Sequence, residues 1–141
     1  MINEKLPHEV FAKCETIRYK DDRKEYLEKN QTFAVRTILQ LNYDENIKLD
    51  LPEGKPPYNE DGAPAGMALQ PINKAVKILG SLTEGGHLKR IKKERRFIEL
   101  LESIHADDAK ILVAAKDGKL QDLYSKVTIN LVKDAIPKLL K

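Results

Sequence analysis

Lys89, Lys92, Lys93 and Arg96 stand at i, i+3, i+4 and i+7 of a helical pattern, so they share one surface strip. Arg90 and Arg95 flank the strip and His87 precedes it. Cations spread over two helical turns match what a phosphate backbone or an acidic protein surface presents. Glu94 lies four residues after Arg90 and Glu99 four after Arg95, both at pairing distance. The plainer role for such a run is a solvated face opposite an Ile/Leu stripe. No aromatic interleaves the cations, which counts against stacking on single-stranded bases. Neither a zinc-finger spacing nor a helix-turn-helix signature points to sequence-specific duplex recognition.

Other chemistry is thinner. His8, His87 and His105 are isolated in sequence, and His8-Glu9 lacks the second histidine of a metalloprotease motif. His105 reads as a helix-junction residue rather than a ligand. Asp107-Asp108 could serve acid–base work or Mg²⁺, but stabilising a helix start is the simpler role. Gly85-Gly86 could cradle an anion ahead of the basic helix, whereas Gly54-Lys55-Pro56 lacks the upstream glycine and the Ser/Thr of a phosphate loop. Cys14 falls on an apolar stripe and reads as a buried, inert thiol. The chain is therefore not expected to be an enzyme, and no cofactor or metal is expected.

The elements that position these residues read as helices. Pro7 suits a first helical position, followed by Val10, Phe11, Cys14 and Ile17 at helical spacing. Asp21 and Asp22 suit the cap of a second helix through Lys29. Thr32 opens a third, with Phe33, Val35, Ile38, Leu39 and Leu41 as its stripe. Residues 42–71 change texture, because five of the seven prolines fall there and no long helix can cross them. Ile47, Leu49 and Leu51 alternate with Lys48 and Asp50, the pattern of a short strand or an extended segment. That segment is either laid over the helices, pinned by Leu49, Leu51 and Tyr58, or a stiff arm docking on a partner through Pro52, Pro56, Pro57 and Tyr58.

Helical patterning resumes from Ile72 to Leu82 and again from Leu88 to Ile104, where Leu88, Ile91, Ile98, Leu101 and Ile104 form a stripe that Phe97 and Leu100 widen. A further helix starts at His105 and turns at Lys116-Asp117-Gly118-Lys119. Thr128 can cap a last one, which Pro137 interrupts or ends. The prediction is an all-α single domain of six or seven short helices over residues 1–141. It divides into a helical cluster (1–41), a Pro/Gly-rich extended segment (42–71) and a basic helical half (72–141).

Composition agrees with that outline. The 141 residues are one domain's worth, and aliphatic side chains must fill the core because there is no Trp. The formal net charge of +3 conceals a split: residues 1–70 hold 10 basic and 13 acidic side chains, residues 71–141 hold 15 and 9. That split favours an anionic partner for the second half. No apolar run is long enough to span a membrane, the N-terminus lacks a signal-peptide core, and a single cysteine suits a reducing cytoplasm.

Three stretches together carry a resemblance: Arg36 to Leu39 through Leu51-Pro52-Glu53-Gly54-Lys55-Pro56-Pro57-Tyr58; Gly85-Gly86-His87 through Glu102; and His105 with Asp107-Asp108-Ala109-Lys110 through Leu120. The combination resembles a family of small, functionally uncharacterised proteins of T-even-like tailed phages, mainly marine. Ala106 stands where that family has proline, a departure that touches only helix initiation. The resemblance implies a phage protein in the infected host's cytoplasm or in the virion, and brings no catalytic residues. The expected function is a non-enzymatic accessory protein whose partner, a phage or host nucleic acid or protein, meets Lys89, Arg90, Lys92, Lys93, Arg95 and Arg96. The alternative is a virion or assembly component using residues 42–71 as an inter-subunit arm. The membrane is not an expected partner.

Overall fold

In the computed structural model, residues 5–59, 70–84 and 88–140 are described. Their fold is all-α: α1 (Pro7–Thr16), α2 (Lys20–Lys29), α3 (Phe33–Tyr43), α4 (Ile72–Ala75), a 3₁₀ helix (Val76–Leu82), α5 (Arg90–Glu102), α6 (Ala106–Lys116), α7 (Leu120–Leu123) and α8 (Ile129–Ala135). The count exceeds the six or seven expected because α4 and α7 are single turns too short to show a period.

Local chemistry accounts for most boundaries. Pro7 occupies the first turn of α1, and Glu9 reaches back to accept from the Leu6 N–H at 2.9 Å. Thr32 and Thr128 cap α3 and α8, each hydroxyl accepting from the backbone three residues on. Asp21 and Asp22 lie inside the first turn of α2 rather than capping it, since Tyr19 is the cap residue. There they face the helix dipole favourably. Arg23 closes α1 instead, donating to the carbonyls of Cys14 (3.1 Å) and Ile17 (2.6 Å). Gly118 ends α6 at φ 72°, a conformation that strains any side chain.

One continuous core joins these elements. α3 packs along α6, α2 along α8, and α5 lies against both α6 and the 3₁₀ helix. α3 contributes Ala34, Val35, Ile38, Leu39 and Leu41, while α6 contributes Ala109, Ile111, Leu112 and Ala115. Phe11 and Phe97 are the largest apolar side chains fully enclosed.

The alternating stretch around Leu49 is extended, with one isolated antiparallel bridge from Leu49 to Thr83. The Asp50 N–H donates to the Leu82 carbonyl at 2.8 Å. From there residues 51–59 run over α5 and α6. The Lys116 ammonium donates to the Pro52 carbonyl (2.8 Å), the Gly54 N–H to Asp117 Oδ2 (3.0 Å) and the Asn59 N–H to Glu102 Oε2 (2.6 Å). Of the two readings of the proline segment, this stretch follows the one laid over the helices, with Leu49 buried and Leu51 and Tyr58 packed beside it. Residues 60–69 of the segment lie outside the described residues.

Candidate functional site

The buried side of α5 is built from Lys93, Phe97, Leu100 and Leu101, continued by Ile104 after the helix ends. The apolar stripe is thereby rotated from the expected one: Ile91 is 66% exposed, and its place in the stripe's first turn is taken by Lys93, 1% exposed. The physical reason is a partner. The Lys93 ammonium donates to Asp50 Oδ2 and to the Thr83 carbonyl, each at 3.0 Å. Both acceptors come from the bridged backbone of residues 49–50 and 82–83. Asp50 Oδ1 also lies 3.8 Å from Arg90 Nε.

Lys93 is thus no part of a solvent strip, a correction to the expected strip of Lys89, Lys92, Lys93 and Arg96 and to its place among the six expected contact residues. Arg90 is exposed but turned towards Asp50 rather than Glu94. Lys89, Lys92, Arg95 and Arg96 are exposed, and among the described residues none of them has a carboxylate in ion-pair range. Lys92, Arg95 and Arg96 share the outward face of α5 by helical spacing. Glu99 is exposed one turn further on, and Ile91 lies one turn from Arg95. His87, with Gly85 and Gly86, lies outside the described residues.

The proline segment and α5 enclose a cleft of about 330 Å³, lined by Leu51, Pro52, Pro56, Pro57, Phe97 and Ile98 among others. Pro52, Pro56 and Pro57 therefore form a wall against the basic helix. Tyr58 packs against the core, with its hydroxyl enclosed.

A second constellation was not legible from sequence. The N-termini of α1 and α6 meet, bringing His8 and His105 into a stack with ring centroids 4.4 Å apart and 23° between planes. Asp108 is completely buried. Its Oδ1 accepts from the His8 backbone N–H at 2.9 Å and lies 2.9 Å from His8 Nδ1, while Oδ2 is enclosed without a hydrogen-bond partner among the described residues. His105 caps α6, its Nδ1 accepting from the Asp107 N–H at 3.1 Å. One ring nitrogen of each histidine and one Asp107 carboxylate oxygen lie within 4.8 Å of one another. Two of the three histidines that are isolated in sequence thus meet in space, and His105 sits at a helix junction as its sequence position suggests. His8 and Asp108 are 100 positions apart, and only the convergence of two helix starts joins them. Tyr124 stands close enough to feel them: burial chiefly, then the Asp107 and Asp108 charges, push its phenol pKa up.

Cys14 is buried, and desolvation raises its pKa from 9.0 to about 11. The thiol is therefore protonated and shielded at neutral pH, in keeping with a packing role.

A family model described as a family of unknown function, DUF6433, matches residues 10–122. The chain belongs to that family. The matched span takes in α5, the proline segment and the α6 start with His105, Asp107 and Asp108, and it begins after His8. No curated protein and no solved structure matches the chain.

Proposed function

We propose that the chain is a non-enzymatic phage accessory protein that binds an anionic macromolecule through the outer face of α5. The observation that carries this reading is the set of exposed cations Lys89, Lys92, Arg95 and Arg96, left without ion pairs among the described residues. Arg90 is exposed beside them and is held by Asp50. Long cationic side chains that are not engaged within the protein can meet phosphates without first breaking internal pairs. The favoured partner is nucleic acid, met through its backbone, or the replication or transcription machinery on it. The phage context rests on the sequence resemblance described above.

Ile91 favours a second reading. A large apolar side chain at 66% exposure beside the cations suits an acidic protein surface with an apolar centre better than a phosphate backbone. The virion-arm alternative has less to stand on, since residues 51–59 are occupied on α5 and α6.

Affinity capture from infected-cell lysate, comparing the native chain with Lys92→Glu/Arg95→Glu/Arg96→Glu, tests the reading. Material retained by the native chain and lost by the variant supports it. Equal capture by both overturns it. Nuclease treatment separates the two partners: nucleic acid disappears, and an acidic protein stays bound.

A further inference from the structure

Where α1 and α6 meet, the chemistry differs from that of the α5 face. A helix-capping role for Asp108 explains its Oδ1, which satisfies the His8 backbone N–H at the start of α1. It does not explain the stacked pair of imidazoles, nor why the other carboxylate oxygen of a fully buried aspartate has no partner among the described residues. Buried carboxylates are costly unless paired or set against a cation. Among the described residues no lysine or arginine is paired with Asp107 or Asp108. Two carboxylates and two imidazoles thus converge without a described cation to balance them.

We propose that His8, His105 and Asp107 bind one divalent transition-metal ion of the zinc class. Asp108 acts behind His8. Asp108 as a carboxylate only accepts, so a neutral His8 ring making the 2.9 Å contact carries its proton on Nδ1 and keeps the Nε2 lone pair for an ion. This is the arrangement in which a carboxylate behind a histidine ligand fixes the orientation of its ring. Two imidazoles with one carboxylate suit Zn²⁺ and its first-row neighbours rather than Mg²⁺ or Ca²⁺, which take oxygen donors. The three donors lie within 4.8 Å of one another, whereas donors sharing a tetrahedral zinc stand about 3.3 Å apart. Small rotations close that gap: His105 and Asp107 are partly exposed, and His105 gives up the cap its Nδ1 makes to the Asp107 N–H to offer that lone pair to the ion. Three protein ligands leave a fourth position for water.

Isothermal titration of the metal-stripped full chain with Zn²⁺, and visible absorption on titration with Co²⁺, test the site. The proposal predicts one ion per chain, a tetrahedral Co²⁺ spectrum, and no competition from millimolar Mg²⁺. His105→Asn is the decisive variant. Asparagine is a good helix cap and keeps an acceptor for the Asp107 N–H, so the fold survives while the imidazole is lost. A tenfold or greater loss of Zn²⁺ affinity at an unchanged melting temperature upholds the site. A smaller loss places the ion elsewhere and overturns it, as does a native chain that takes up no stoichiometric ion. Asp108→Asn weakens binding by about 10–100-fold if Asp108 orients His8.

Discussion

Lys93 shows how one residue type can serve opposite ends. On a helix rich in cations it reads as one more solvent-facing charge, yet its ammonium is enclosed between Asp50 and the Thr83 carbonyl. Removing the enclosed ammonium strips the Thr83 carbonyl of that donor, leaves Asp50 with Arg90 alone beside it, and empties the space of the buried lysine stem. Lys93→Ala is therefore expected to lower unfolding free energy by about 3 kcal/mol, measured by urea denaturation. Lys92→Ala, exposed one residue earlier, is expected to change it by less than about 0.5 kcal/mol. Cys14 gives a pH-dependent counterpart. In the folded chain its thiol keeps the proton up to about 11, against an ordinary value of 9.0. The unfolded chain loses that proton first, so this contribution to stability is whole below pH 9 and is lost as pH rises towards 11. The expected loss across that window is about 2–3 kcal/mol. Cys14→Ala should remove this share of the alkaline slope in denaturation curves taken from pH 8 to 11.

At the scale of elements, helix ends are held by particular side chains whose removal has a local cost. Thr128→Ala deletes the acceptor for the Leu131 N–H at the start of α8 and is expected to destabilise by about 1 kcal/mol, read as a fall in melting temperature. The caps at Thr32 and Thr128 and the first-turn Pro7 were legible in sequence because each acts on residues within one turn of itself. Most of the α3 stripe was legible for the same reason, although Phe33 stays 43% exposed. The rotation of α5 was not legible, because seven apolar side chains from Leu88 to Ile104 admit more than one buried face. The choice was made by Asp50, 43 residues away, which gives Lys93 a buried partner. Lys93 does stand at four, seven and eight residues from Phe97, Leu100 and Leu101, a spacing that fits one of those faces without selecting it. The meeting of His8 with Asp108 and His105 had no such local signal, since it depends on how α1 docks against α6.

For the whole molecule, the fold presents two separate pieces of chemistry on one core. The convergence of α1 and α6 supplies imidazoles and carboxylates, and the outer face of α5 supplies cations that are unpaired among the described residues. The proline segment, bonded through Pro52 and Gly54 to Lys116 and Asp117, walls one side of α5 and leaves its outward side open. Charge reversal on that side should leave the fold intact, because Lys92, Arg95 and Arg96 are exposed, whereas reversal at Lys93 should unfold it. The most direct measurement is the affinity of the native chain for a fluorescent duplex of mixed sequence between 50 and 200 mM salt, beside the Lys92→Glu/Arg95→Glu/Arg96→Glu variant. With about three phosphates neutralised, native affinity should fall roughly fortyfold over that range. The folded variant should bind weakly at 50 mM salt and show a flatter dependence. Native and variant curves that coincide, or native binding that does not change with salt, would contradict the assignment of α5 as the anion-binding face.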